Sequence, residues 1–341
     1  MTNNQIVTTT LHRVAWKNRI EWVDVAKALG LILVFWGHIL EGDIPVQNDI
    51  RRAIYSFHMP MYLILSGYVF KTTKLSFREY IKNKFKKILL PALIIYAFTF
   101  PIVFLPHFAD YPNSTVWIFI EKVFYLKGQL AYNSPIWFFI CIFQIFLFAK
   151  WINLSNQRTG VQIIIGGCCF ILSYMMYNSK FEMAKIFGFN KFLLGLFFFV
   201  VGILLRKMHY KGKIMYIIGL LSIPIWMVSC FANTKISMYG MNLGEIWLFV
   251  ISGISGSLVF YMVCRLFEKY SFIKRYATWM VFIVSTHLLL ANAFGLLAPM
   301  AFSKDSYLYL SLSFVFVLLA LLIYAHVCKY LEKRIPVLFG K

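Results

Sequence analysis

Carboxylates are scarce in this chain: 13 Asp and Glu stand against 34 Lys and Arg in 341 residues, a formal net charge of +21. Charge of either sign is thin, at 14% of residues, where soluble domains carry about 25%. That deficit excludes an ordinary water-solvated surface. The six cysteines (Cys141, Cys168, Cys169, Cys230, Cys264 and Cys328) all fall in or beside apolar runs and never in C-x-x-C spacing. Disulfide, zinc and thiol-redox chemistry therefore have no support in the sequence, and the thiols read as small packing residues. No segment repeats, which argues against an inverted-repeat transporter. No small-residue cleavage site follows the first apolar run, so that run reads as an uncleaved anchor.

Hydrocarbon is abundant: 60% of residues are hydrophobic and 19% aromatic. A membrane span needs about 20 mostly apolar residues. Ten stretches qualify, near 22–40, 53–70, 88–106, 135–152, 161–177, 190–206, 213–231, 245–265, 278–299 and 306–328. They follow one another with no soluble segment between them. The fold predicted is all-α and polytopic, a single integral membrane domain over residues 1–341. The positive charge is unevenly spread: 24 of the 34 Lys and Arg lie on one set of alternate connections, 9 on the other, and Lys27 lies within a span. By the positive-inside rule both termini are expected in the cytoplasm, and the charge reports topology rather than nucleic-acid binding. In the connection 107–134, STVWIFIEKVFYLKG has helical spacing and is expected to lie along the interface. KTTKLSFREYIKNKFKK, 71–87, is the densest basic stretch and reads as an amphipathic helix entering the third span.

The first span, VDVAKALGLILVFWGH, carries Asp24, Lys27 and His38 among apolar residues and glycine. Each helical residue advances about 100° and 1.5 Å, so Lys27 and His38 share one azimuth about 16 Å apart. Asp24 is three residues before Lys27, a spacing at which opposite charges meet. Lipid cannot solvate that stripe, so it is expected to face the bundle interior or a wet cavity. His58 in FHMPMYLILSGYVF and His287 in VFIVSTHLLL are two more histidines within spans. No G-x-S-x-G elbow surrounds Ser66, and Ser66-Gly67 reads as a close helix contact.

At these residues the chain resembles the acyltransferase family 3 membrane proteins, which O-acylate bacterial surface glycans. Lys27 and His38 fit the family's basic-residue, ten-residue gap, histidine pattern, and FHMPMYLILSGYVF (57–70) resembles its second-helix signature. KFKKILLP (84–91) is similar to its R-x-x-R stretch, PIWFF (135–139) to its aromatic motif, and STHLLL (285–290) to its late histidine motif. The resemblance runs over roughly residues 19–290. It departs where arginine is usual and this chain has Lys27, Lys84 and Lys87; lysine keeps the charge and loses the bidentate fork.

The resemblance implies a multi-pass protein of the bacterial cytoplasmic membrane. It implies transfer of an acyl group, most simply acetyl, from cytoplasmic acetyl-CoA as co-substrate to a hydroxyl of a cell-surface or lipid-linked glycan, with no metal. Some relatives carry an extracytoplasmic second domain; with 13 residues after the last span, this chain is expected to finish the transfer itself or with a separate partner. Histidine titrates near working pH, so His38 is the expected base for the attacking hydroxyl, with an acyl-histidine intermediate as the open alternative. Lys27 with Asp24 either positions the donor or fixes helix register. Arg78, Lys82, Lys84, Lys86 and Lys87 are where the donor's phosphates would collect, Lys84 and Lys87 foremost, unless they anchor to lipid headgroups. His58, Trp137 and His287 are the acceptor-site candidates, with Tyr125 and Tyr132 near Trp137. The competing function is a secondary transporter or glycan exporter with Asp24, Lys27 and His38 as a proton relay, a role that needs more cavity-facing carboxylates than Asp24 alone.

Overall fold

The computed structural model describes residues 20–40, 44–104, 124–126, 128, 130, 133–179, 182–234 and 236–341. The interfacial helix expected over 114–128 falls largely outside these residues, as does Tyr132. Among them the chain is helical throughout and forms no named strand: α1 (Glu21–Ile39), α2 (Pro45–Val69), α3 (Phe77–Lys84), α4 (Leu90–Phe104), α5 (Trp137–Trp151), α6 (Thr159–Asn178), α7 (Phe189–Lys207), α8 (Lys213–Phe231), α9 (Ile246–Leu266), α10 (Ser271–Tyr276), α11 (Met280–Leu297) and α12 (Tyr307–Arg334). α3 and α4 are one element joined by a π-helical turn, Phe85–Leu89, so each expected span corresponds to a long helix. Nine of these helices are long and apolar enough to cross a membrane. The tenth, α2, begins at Pro45 rather than near residue 53, and its first turns bring Asp49, Arg51 and Arg52 into the helix. Pro45 stands at the start, where its missing N–H has no intrahelical partner to lose.

α1 is central. It packs against α2, α9, α10, α11 and α12, and 67% of its apolar window is buried, against 28% for α6 and for α8. A helix buried to that extent is enclosed by protein rather than lipid. α2 crosses α7 through glycines: a Cβ at Gly67 would lie 1.9 Å from the carbonyl oxygen of Phe199, and one at Gly202 would lie 2.0 Å from that of Ile64. Only hydrogen fits at either point, so the backbones touch, as the Ser66-Gly67 reading anticipates. The Ser66 hydroxyl donates to the Tyr62 carbonyl (2.8 Å) inside its own helix.

The basic segment starts as a helix at Phe77, where Ser76 and Glu79 form a reciprocal capping box. The chain's last turn closes over the π-helical stretch: Phe339 stacks on Phe282 at 5.2 Å, and Gly340 packs against the backbone of Lys87. Glu21 at the start of α1 pairs with Lys274 (3.2 Å), and Trp279 before α11 donates to Glu332 near the end of α12 (3.2 Å). The start of α1 and the end of α12 therefore lie at one end of the bundle, called the basic end below.

Candidate active site

Two helices carry polar stripes that face each other. On α1 the stripe runs Asp24, Lys27, Val34, His38; on α2 it runs Arg51, Tyr55, His58, Tyr62, at spacings of four, three and four that keep one helical face. Val34, His38 and all four α2 residues line a cavity of ≈ 210 Å³ away from the basic end. His38 is half-buried, its exposed part opening on that cavity. Its ring lies 6.2 Å from that of Tyr55, which lies 4.9 Å from that of His58. The Arg51 guanidinium covers Tyr55 at 5.2 Å.

The backbone sets the tautomer of His58. Its Nδ1 is 2.9 Å from the Ile54 carbonyl; a carbonyl only accepts, so Nδ1 carries the hydrogen and Nε2 a lone pair. Pro60, two residues on, withdraws a donor from the helical ladder at this level. The far wall is aromatic. Trp137 and Phe138 enter from α5, and Ser237, Met238 and Tyr239 from the connection between α8 and α9. That connection is tightly built. Asn233 accepts from the Glu245 amide (2.9 Å) and donates to the Leu243 carbonyl (3.0 Å). Gly244, at φ +60°, presses on Asn233 where a side chain would collide. Tyr239 donates to the Leu130 carbonyl (2.7 Å), and burial pushes its hydroxyl up to about 12, so it remains a neutral donor.

At the basic end, Asp24 and Lys27 form an ion pair (3.9 Å). They line a second cavity, ≈ 300 Å³, with Lys71 and Arg206. Arg206 also lines a wider adjoining cleft with Lys211 and Arg265. Tyr62 lines the first cavity and donates its hydroxyl to the carbonyl of Lys27 (3.0 Å), a residue that lines the second. Gly30 makes this approach possible, since a Cβ there would meet the Tyr62 oxygen at 2.6 Å. The stripe read from the sequence thus faces protein along its length, with one cavity at each end.

The other expected residues are placed as follows. His58 and Trp137 share the His38 cavity. His287 is not in its lining; it stands behind His38, ring centroids 5.1 Å apart. Arg78, Lys82, Lys86 and Lys87 are exposed, whereas Lys84 is half-buried, its ammonium 3.7 Å above the Phe146 ring. None of the five lines either cavity. Lys84 and Lys87, three residues apart, flank the start of the π turn, where fewer degrees per residue turn Lys87 further from the azimuth of Lys84 than an α-helix would.

Several site residues escaped the sequence reading. Arg51 and Tyr55 precede His58 at intervals of seven and three; beginning the second span at residue 53 leaves Arg51 outside it and hides that face. Lys71 and Arg206 were counted as topology charges. Lys191, at the start of α7, is 3% exposed. Its ammonium donates to the Gly128 carbonyl and stands among the rings of Tyr239 (5.2 Å), Trp137 (5.4 Å) and Tyr125 (5.9 Å). No carboxylate among the described residues pairs with it.

Compared with known proteins, residues 20–283 match a family model, that of the acyltransferase 3 family, described as an acyltransferase domain. No curated protein and no solved structure matches the chain.

Proposed function

We propose that this chain, which belongs to the acyltransferase family 3, moves an acyl group, acetyl in the simplest case, from acyl-CoA to a hydroxyl of a cell-surface or lipid-linked glycan. Its setting is the bacterial cytoplasmic membrane, with the basic end towards the cytoplasm. One observation carries the reading: a single central helix presents a cation to a cavity at one end and an imidazole to a cavity at the other.

The donor's phosphates are anions and favour the end where Lys27, Lys71 and Arg206 line a cleft. The exposed basic face of Arg78, Lys82, Lys86 and Lys87 draws them, or lipid headgroups, to that surface. The thin pantetheine arm passes Tyr62 towards His38. The acceptor enters the other cavity against Trp137, whose ring offers an apolar face to a sugar, while the His58 Nε2 lone pair accepts from a sugar hydroxyl. His38 removes the proton of the attacking hydroxyl as its oxygen adds to the thioester carbonyl. Arg51 is the cation nearest to the charge developing on the carbonyl oxygen. Collapse of the adduct breaks the carbon–sulfur bond, and the departing thiolate takes the proton back from His38. The products are a glycan ester and free coenzyme A.

Purified protein with radiolabelled acetyl-CoA and glycan acceptors tests this. His38→Ala is expected to lower kcat by about 10²–10⁴-fold, the usual weight of general-base catalysis, with surface polysaccharide from cells carrying the variant losing its ester mass. Undiminished labelling by the variant would overturn the assignment of His38.

A further inference from the structure

The remaining inference concerns His287 and rests on the acyl-transfer reading. His287 is 1% exposed. Its Nδ1 lies 2.9 Å from the Val284 carbonyl, so Nδ1 carries the hydrogen and Nε2 a lone pair. That Nε2 has no hydrogen-bond partner among the described residues, although buried acceptors are nearly always satisfied. Two side chains of α1 bracket the ring: Phe35, edge-on at 5.5 Å, and His38 at 5.1 Å. Imidazoles joined by one N–H···N bond have centroids about 5 Å apart. The centroid spacing is therefore right for such a bond, which is not closed between the two rings in this structure. Catalytic hydrogen bonds often tighten only when substrate is bound.

We propose that His287 is the positioning residue for His38: its Nε2 accepts the N–H on the side of the His38 ring turned from the cavity, which leaves the lone pair of the other nitrogen facing the acceptor hydroxyl. The partner of a catalytic histidine is often a carboxylate that fixes tautomer and ring orientation. A bare carboxylate at this depth in a membrane is costly, and a neutral imidazole held by a backbone carbonyl does the same work without charge. His58, whose Nε2 is also a lone pair, is less suited because it lines the cavity where the acceptor must stand. The proton on His38 facing His287 stays in place throughout the reaction; the one that moves is taken and returned on the cavity side.

The role requires an acceptor aimed at His38 and a donor for Val284, and the amide of glutamine supplies both. In the full-length protein reconstituted in nanodiscs, His287→Leu is expected to lower kcat for acyl transfer by about 100-fold or more with donor KM unchanged, whereas His287→Gln retains at least about a tenth of kcat. Carbethoxylation of the His38 peptide by diethyl pyrocarbonate, followed by mass spectrometry, gives a readout independent of turnover: labelling slows in His287→Leu and persists in His287→Gln. An active His287→Leu protein, unchanged His38 labelling in it, or a folded His287→Gln protein as inactive as the leucine variant would each overturn the proposal. If the leucine variant does not fold, the glutamine variant decides, by retained or lost activity. If the wild-type protein transfers no acyl group to any acceptor, the acyl-transfer reading fails, and the labelling series alone judges the pairing.

Discussion

A buried ammonium that no described carboxylate pairs with is costly, and its surroundings offset that cost at Lys191. The Gly128 carbonyl and three aromatic faces replace its hydration shell. Two of those rings, Trp137 and Tyr239, also line the His38 cavity, so Lys191 ties Gly128 to the aromatic wall of that cavity. His38 was legible because a histidine eleven residues from a lysine in an apolar run declares its face. Lys191 gives no such signal: it stands at the margin of an apolar run, where cations normally reach the interface, and only tertiary packing places it under aromatic rings. Lys191→Met leaves the Gly128 carbonyl unpaired and is expected to raise the acceptor KM about ten-fold, as one lost buried hydrogen bond would. Donor hydrolysis without acceptor should be unchanged. Steady-state kinetics over an acceptor series check both, and a variant with unaltered acceptor KM removes Lys191 from the wall.

At the scale of elements, the apolar runs were sufficient to predict the ten long helices among the described residues, because in hydrocarbon every backbone group must be satisfied within its own segment. Their ends and irregularities were less legible. The helix of His58 reaches back to Pro45 through two arginines, since partly enclosed helix ends tolerate charges that a hydropathy window rejects. The π turn at 85–89 adds a residue that no period reveals, and it separates Lys84 from Lys87. Ser66-Gly67 was readable as a contact, but its partner was not. That contact makes a sharp prediction about α2. Gly67→Ala thrusts a methyl group into the Phe199 carbonyl and should cost about 1–3 kcal/mol or more. Gly167→Ala on α6, where nothing lies within 4 Å of the added atom, should be neutral or stabilising by about 0.5–1 kcal/mol. Thermal unfolding of the two variants in one detergent compares them directly; equal midpoints would show that the α2–α7 crossing relaxes without loss.

For the whole molecule, the sequence divides its charge between two sides and the structure divides its polar interior between two ends, and the two divisions agree. The connections at the basic end belong to the set that holds 24 of the 34 cations, and this is also the end where Asp24, Lys27, Lys71 and Arg206 line a cavity. How His38, His58 and His287 assemble was beyond the sequence, because they lie on α1, α2 and α11 and meet only through the central position of α1. If the charge asymmetry orients the protein as it does other polytopic chains, a membrane-impermeant donor reaches the Lys27 cavity from the cytoplasmic face alone. Inverted vesicles given radiolabelled acetyl-CoA outside are then expected to accumulate labelled glycan in the lumen or on lipid-linked carriers, and sealed right-side-out vesicles to accumulate none until permeabilised. Charge reversal at the cleft supplies the control: Arg206→Glu should abolish labelling in inverted vesicles at low donor concentration and leave acceptor dependence intact, because the substitution repels phosphates without touching the His38 cavity. Equal labelling from both vesicle orientations would mean that donor and acceptor share one entrance, and the two-ended arrangement of α1 would then serve structure rather than transfer across the membrane.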